Sequence, residues 1–342
     1  MSSPLLSPVR SSPASPRQAA PRVAIGVPVY NGALFLEAAL DSLLAQTVED
    51  IVVVIADNAS TDATEAICRA YAARDPRVRY HRNARNIGAL PNFNRVYKLA
   101  PDTEYFTWAA YDDLRAPDFL ERTVVLLDAD PGAVLAYGYC RMIDAHGAPL
   151  PYDGRESAYT SGDGTPIHDD RLLERDLDAG PVARFEAVLG SNGVNAPIHG
   201  LFRRAALART SLHTEHGSDN LLLAEAALLG RFRCAPAPLF FYRIHAASTF
   251  HLDREAWSQR ETGDASARAR LPIQTLRSYL RAVRRAPGLL PVQRRRAIRA
   301  VFRYALRADA LQRLVVPGVN NYFGITRWPW QPDPTASTAT RP

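Results

Sequence analysis

Lysine is almost missing from this sequence: Lys98 is the only one among 41 basic residues, so nearly every fixed positive charge is a guanidinium group. That bias suits GC-rich coding as readily as a demand for guanidinium chemistry. Cysteine is scarce as well. Cys68, Cys140 and Cys234 lie far apart with no C-x-x-C spacing, which argues against a disulfide framework or a zinc knuckle and leaves three small core residues. No stretch approaches the ~18 apolar residues of a spanning helix, and the N-terminus has no apolar secretion core, so the expected location is cytoplasmic. No repeat recurs at a fixed period. A glycine-rich phosphate loop is also missing. The first strand-like run, Val23–Val27, passes into Pro28-Val29-Tyr30-Asn31, which lacks the glycines that let backbone N–H groups cradle phosphates. A diphosphate bound there would need a cation to neutralise it.

The 342 residues, 47% hydrophobic and 22% charged, suffice for one large domain with appendages or for two. The net charge of +6 hides an asymmetry, because residues 268–342 hold 15 arginines against Asp309 and Asp333, a net +13, while the remainder carries −7. Residues 1–20, rich in Ser, Pro and Ala, cannot bury enough surface to offset chain entropy. They are expected to be a disordered tail, as are residues 331–342.

Between Arg22 and Cys140 strand and helix patterns alternate. Strands are predicted at Val23–Val27, Ile51–Ala56, Val78–His81, Tyr105–Ala109 and Val134–Tyr139. Helices at Leu34–Gln46, Ala63–Arg74, Ala89–Leu99 and Pro117–Leu127 fall between them. The alternation predicts an α/β fold with a doubly wound, mostly parallel sheet. Leu36, Ala39, Leu40, Leu43 and Leu44 share one helical face, Asp62 and Glu65 have capping-box spacing, and Pro117 suits a first helical turn. Residues 141–180 are polar and loop-rich, as expected of a substrate-facing insertion. A helix at about Asp219–Leu229 and short strands at Phe232–Cys234 and Leu239–Ile244 follow. Beyond residue 260 come two Arg-rich amphipathic helices, with Leu276, Tyr279, Leu280 and Val283 on one and Ile298, Val301, Phe302 and Ala305 on the other.

Asp112 and Asp113 end the apolar run from Tyr105, at the carboxyl end of a predicted strand, where open α/β sheets bind ligands. Carboxylates there suit Mg²⁺ or Mn²⁺ over Zn²⁺; the alternative is a solvated loop with a helix cap. Asp57 ends the second strand beside Tyr30-Asn31, so a base stacked on Tyr30 could hydrogen-bond to its carboxylate. Ser60, Thr61 and Asp62 read as a strand-to-helix turn. Asn86, Gly88 and Asn92 open the third helix, either as cap and tight turn or, with Arg82 and Arg85, as an anion site. Asp219 heads an apolar helix as an N-cap or as a base, and the nearby His213 and His216 read as surface residues. His245 fits a ligand or a satisfied polar residue, and the Arg243 guanidinium suits bidentate phosphate binding.

Taken in order, Pro28-Val29-Tyr30-Asn31, then Asp57-Asn58-Ala59-Ser60-Thr61-Asp62-Ala63-Thr64, Asn86-Ile87-Gly88, Asp112-Asp113 and Pro117-Asp118-Phe119-Leu120 resemble family 2 glycosyltransferases of the GT-A fold, over residues 22–130. The resemblance implies a GT-A-type sheet with an acceptor-side insertion and C-terminal helices. A nucleotide-sugar-binding half would span 21–140, an acceptor-binding, catalytic half 141–258, and an Arg-rich helical extension 259–330. It further implies metal-dependent, inverting transfer of a sugar from a nucleotide-sugar donor, usually a UDP-sugar, to a hydroxyl of a glycan or lipid-linked acceptor. In that frame Pro28, Tyr30, Asn31, Asp57, Asn58, Asn86, Gly88, Asn92, Asp112 and Arg243 bind the donor, with Asp57 reading the base. Asp113 ligates Mn²⁺ or Mg²⁺, His245 completes that site, and Asp219 takes the acceptor proton. Tyr111-Asp112-Asp113 departs from the commoner Asp-x-Asp, which makes Asp113 the safer ligand. His199–Arg204 resembles the acceptor-side strand, although Arg203 and Arg204 could equally be solvated.

The Arg-rich helices admit packing on the domain or peripheral contact with anionic lipid at the inner face of the cell membrane. No nucleic-acid motif accompanies them. Two rival functions stand beside the transferase. A sugar-phosphate nucleotidyltransferase is disfavoured by the missing glycine-rich loop, and a catalytically silent basic adaptor of membranes or polyanions would make the C-terminal helices the working part.

Overall fold

The computed structural model describes residues 21–162, 164–168, 174–191, 196–214, 218–246 and 272–306; the expectations for 1–20, His216 and 331–342 lie outside the described residues. Strands β1 (Val23–Val29), β2 (Ile51–Asp57), β3 (Val78–Arg82) and β4 (Tyr105–Trp108) run parallel, β1 lying between β2 and β4. They are joined by β5 (Leu114–Arg115) and β6 (Ala133–Ile143). The short β7 (Tyr152–Asp153), β8 (Ala158–Thr160) and β9 (Pro166–His168) form a separate sheet. With β10 (Leu201–Arg203) and β11 (Arg231–Arg243) the main sheet has eight strands in the order β3-β2-β1-β4-β10-β6-β11-β5. β10 is antiparallel to both neighbours, and β5 is antiparallel to β11.

Helices α1 (Leu36–Leu44), α2 (Thr64–Arg74), α3 (Ala89–Leu99) and α4 (Phe119–Ala129) alternate with the first strands. They are followed by α5 (Pro181–Gly190), α6 (Arg204–Leu207), α7 (Ser218–Leu229), α8 (Pro272–Arg285) and α9 (Pro291–Ala305). The period-2 alternation of the strands sorts these helices to two faces. Val23, Ile25, Val27 and Val29 of β1, with Ile51, Val53 and Ile55 of β2, pack on α1, α2 and α4. Ala24, Val52, Val54 and Ala56 point the other way, into a core shared with α3, α5, α7, α8 and α9. The doubly wound α/β expectation is thereby met. Helix α7 is buried all round, from Leu221, Leu222 and Leu223 to Ala227 and Leu228. Each such leucine contributes about 2 kcal/mol by burial, so the helix head that carries Asp219 is fixed by the deepest core.

Several local expectations change. The predicted strands Phe232–Cys234 and Leu239–Ile244 are one strand, β11, whose register on β6 shifts around Pro238. Proline has no N–H for the ladder, so a sequence pattern stops where the folded strand passes through as a bulge. The capping box at Asp62 and Glu65 does not form. Asp62 instead accepts the N–H groups of Thr64 (3.0 Å) and Ala33 (3.1 Å), and Glu65 pairs with Arg69 (2.7 Å) and Arg82 (3.3 Å). Part of the loop-rich 141–180 region is ordered as β7–β9, around a cluster of Cys140, Met142, Tyr159, Ile167, Phe240 and Ile244. The half-boundary expected at residue 140 falls inside β6.

Candidate active site

The carboxyl ends of β1 and β2 are stitched together by side chains of the second loop. Asn31, in the left-handed region at φ 50°, donates its N–H to Ser60 Oγ (2.9 Å), and Gly32 donates to Thr64 Oγ1 (2.8 Å). Asn31 Oδ1 accepts the Thr61 N–H in return (2.8 Å). Pro28 is buried within β1 and pairs in register with Ala56, while Tyr30 beyond the strand end is 41% exposed, available for stacking. Gly32 lies where a Cβ would stand 2.7 Å from the Tyr111 ring, so only glycine lets that ring cover the turn.

Asp57 is fully buried. Its Oδ1 accepts the Ser60 N–H (2.8 Å), and its Oδ2 accepts Tyr80 Oη–H (2.8 Å) and Arg82 Nη1–H (2.7 Å). Burial opposes ionisation, but the hydrogen bonds from Ser60, Tyr80 and Arg82 outweigh it and hold the carboxyl below the usual carboxylate range. Beside it stands an amide network. Asn58 donates to Asn86 Oδ1 (2.8 Å) and to the Gly88 carbonyl (3.1 Å), and Asn83 donates to Asn58 and Asn92 (both 2.9 Å). Asn92 donates to the Ala56 carbonyl (2.8 Å) and is buried, so it braces the loop from beneath instead of lining the cleft. Asn86 is not the cap of α3: Gly88, at φ 86°, holds that position, and its N–H is accepted by Asn86 Oδ1. Asn83 escaped the sequence reading, although the crowding of asparagines at 58, 83, 86 and 92 was a visible signal.

The acid turn after β4 is clamped by the end of β11. The Arg243 N–H donates to Asp113 Oδ1 (2.9 Å), and Arg243 Nε–H donates to the Asp112 carbonyl (2.7 Å). Arg243 is buried and also donates to the carbonyls of Asp144 and Ala145. These bonds shape the turn; the sequence expectation for Arg243 was a diphosphate partner. The two acids face differently. Asp112 Oδ2 lies 3.1 Å from His245 Nε2, whose ring leans on Phe35 at 4.6 Å. Asp113 is 4% exposed, and its buried Oδ2 accepts no hydrogen bond. Burial and the neighbouring Asp112 charge push the Asp113 carboxyl well above its ordinary value. Asp112 and His245 thus face each other as a pair, and Asp113 is buried with one oxygen on the Arg243 N–H and the other without a hydrogen bond.

That pair is at hydrogen-bond distance, a spacing that two ligands of one cation also show. Two ligands at ~2.1 Å and right angles stand about 3 Å apart, and Mg²⁺-type ions keep most other positions for water and substrate phosphates. Among the described residues no group of three His, Cys, Asp or Glu side chains could hold a metal by itself. A cation here would be shared with its ligand.

Asp219 sits in the first turn of α7, and His213 Nδ1 lies 3.5 Å from its Oδ1. His213 is buried, which corrects the surface reading. Its ring packs edge-on against Trp108 (4.6 Å) and Phe93 (5.0 Å), and its backbone exchanges two hydrogen bonds with the Asn94 amide (2.7 and 3.0 Å). Leu212, just before it, adopts φ 56°, a strained conformation for leucine that these contacts hold in place. A second histidine lies close by. His199 stacks on Phe240 at 4.2 Å, and its Nδ1 is buried without a hydrogen bond. Burial and the Arg115 charge drive its pKa down to about 3. Arg115 is itself buried, donates to the carbonyls of Trp108 (3.0 Å) and His199 (3.2 Å), and is pushed down to about 10 by burial. Arg203 and Arg204 lie elsewhere, donating to carbonyls of α3, α4 and their flanks.

A mostly parallel sheet with acids at its carboxyl edge and an inserted antiparallel strand is the GT-A arrangement, and solved structures share it. TarS 1-349 of S. aureus, in complex with UDP-GlcNAc, superposes with a TM-score of 0.56 at 15% identity, covering 83% of this chain and 72% of that one. The mannosyltransferase PcManGT from Pyrobaculum calidifontis, in complex with GDP-Man and Mn²⁺, gives 0.52 at 21% identity, covering 84% and 70%. Residues 24–160 match the model of glycosyl transferase family 2. An uncharacterized glycosyltransferase of Rickettsia felis is 35% identical over 136 residues, 39% of this chain and 22% of its own. One of Haemophilus influenzae is 24% identical over 239 residues, 67% of each. The chain spans about a fifth of the length of the Rickettsia felis protein that it matches.

Proposed function

We propose that the protein is a metal-dependent, inverting glycosyltransferase that moves a sugar from a nucleotide donor, a UDP-sugar, to a hydroxyl of a glycan or lipid-linked acceptor. The observation that carries this reading is the placement of two carboxylates around β4. Asp112 stands just past its carboxyl end with His245, and Asp219 lies 3.5 Å from His213, which packs on Trp108 at the strand's last residue. Asp112 and His245 would hold Mn²⁺ or Mg²⁺, which when bound neutralises the diphosphate leaving group. The tyrosine after β1 offers the base a stacking face. A base that hydrogen-bonds to Asp57 has to take a place on its Oδ2, and Arg82, about a third exposed, is the partner that can turn out to water.

On the acceptor side Asp219 is the general base. It takes the hydroxyl proton as the acceptor oxygen bonds to the anomeric carbon and the bond to the diphosphate oxygen breaks, its electron pair leaving with the diphosphate. One displacement inverts the anomeric centre. His213 is a positioning residue that fixes Asp219 against the rigid Trp108 wall. The relatives bound to UDP-GlcNAc and GDP-Man support a nucleotide-sugar donor, and Asp57 with Tyr30 favours a pyrimidine base. A panel of nucleotide sugars tested for Mn²⁺-stimulated hydrolysis examines the proposal. One UDP-sugar is expected to turn over and to lose that turnover in Asp112→Ala. Equal rates for wild type and variant would overturn it.

A further inference from the structure

Residues 272–306 contain nine arginines and no lysine, aspartate or glutamate. Helix α9 shows what this charge is arranged for. Its inner face is made of Ala297, Ala300 and Val301, buried against α5 and α8. Arg295, Arg296, Arg299 and Arg303 are exposed on the outer face. Three apolar side chains share that face: Val292 is 64% exposed, Phe302 48% and Leu306 68%. At 3.6 residues per turn, all seven positions fall within an arc of about 120°. Glu186 is the acid that meets this face, pairing with Arg296 (2.5 Å) and Arg303 (2.7 Å).

We propose that this outer face of α9 docks peripherally on a membrane surface rich in anionic lipid. Guanidinium groups alone would suit any polyanion. Exposed Val292, Phe302 and Leu306 between them add apolar area that a nucleic-acid backbone does not use and that a bilayer interface does, its head groups meeting the charges and its acyl boundary the apolar side chains. Among the described residues no helix is long and apolar enough to cross a membrane, so the contact would lie in the surface plane. The proposal is independent of the transferase reading, since none of its seven residues has a part in the donor or acceptor site, and the helix packs on α5 and α8.

The test is co-sedimentation of the full-length protein with phosphatidylcholine vesicles, with and without phosphatidylglycerol. Binding is expected only with the anionic lipid, and it should weaken as salt rises above ~0.1 M, where the screening length is about 10 Å. Arg295→Gln with Arg299→Gln should reduce partitioning ~10-fold or more, since each arginine near an anionic surface contributes roughly a fivefold factor. The Lys pair at the same positions should restore it. Phe302→Ser with Leu306→Ser should remove the salt-resistant fraction. Equal binding to neutral vesicles, no difference between wild type and the Gln pair, equal loss in the Lys pair, or displacement by single-stranded DNA at lower phosphate concentration than by lipid would each overturn the proposal.

Discussion

The tips of β2 and β4 lie on the same edge of the sheet and are built on opposite plans. At the tip of β2 the polar groups, apart from the buried Asn83 Oδ1, satisfy one another: Asp57 accepts from Ser60, Tyr80 and Arg82, and four asparagines form a network around Gly88. Around β4 the hydrogen bonding is incomplete. Asp113 Oδ2, Arg115 Nε and His199 Nδ1 are buried without partners, although Asp113 and Arg115 attract each other through space. The first region is a nearly complete scaffold, in which the Asp57 carboxylate is held in place by the protein's own donors. The second keeps electrostatic imbalance in a low-dielectric place, where an added charge has the largest effect.

The comparison breaks if mutations in the two regions have the same signature. The largest effect is expected from Asp219→Asn, a loss of ~10²–10⁴-fold in transfer rate, with the melting temperature and donor affinity unchanged. His213→Asn, which keeps a donor near the Nδ1 position, should retain more activity than His213→Phe and a pH–rate profile closer to wild type. Next comes the acid turn. Asp112→Ala is expected to cost ~10²-fold or more in Mn²⁺-stimulated turnover, and Asp113→Asn ~10-fold by loosening the turn. Mn²⁺ titration by calorimetry separates the two, and equal losses would return Asp113 to the ligand role.

In the first region the expected cost is in stability. Asp57→Asn places an amide N–H₂ against Arg82 and Tyr80, which should cost about 2–3 kcal/mol in urea unfolding. A smaller effect follows from His199, which stays neutral down to about pH 3 when folded, against an ordinary value of 6.5. Between those values the unfolded chain binds the extra proton, so stability rises with pH. From pH 7 to 5 the His199 contribution alone falls by about 2 kcal/mol, the raised Asp113 and Glu225 carboxyls act in the opposite direction, and His199→Phe isolates the histidine by removing its share of the slope.

The parallel half was readable from sequence because its signals are local. Each predicted strand from Val23 to His81 lies within two residues of its structural bounds, and apolar residues alternate with a period that fixes which face each helix covers. Asp57, Asp112 and Asp113 were singled out for the same reason, each standing at the carboxyl end of a strand, whereas Asp219 was singled out by its place in the family resemblance. The other half was less readable because its pairs join distant segments. β5 has only two residues, and nothing near Leu114-Arg115 announces that they pair with Phe240 and Phe241. That pairing brings Arg243 onto the acid turn and aims Asp112, not Asp113, at His245.

Residue order alone determined the α/β class, the edge of the sheet that carries the acids, and the arginine-rich character of the last helices, since each depends on periodicity or composition within one segment. Tertiary structure decided which carboxylate faces the histidine, that His213 is buried behind Asp219, and that α9 turns its arginines outward with Val292, Phe302 and Leu306 among them. Those outcomes depend on which surfaces compete for burial across more than a hundred residues, and no local pattern encodes that competition.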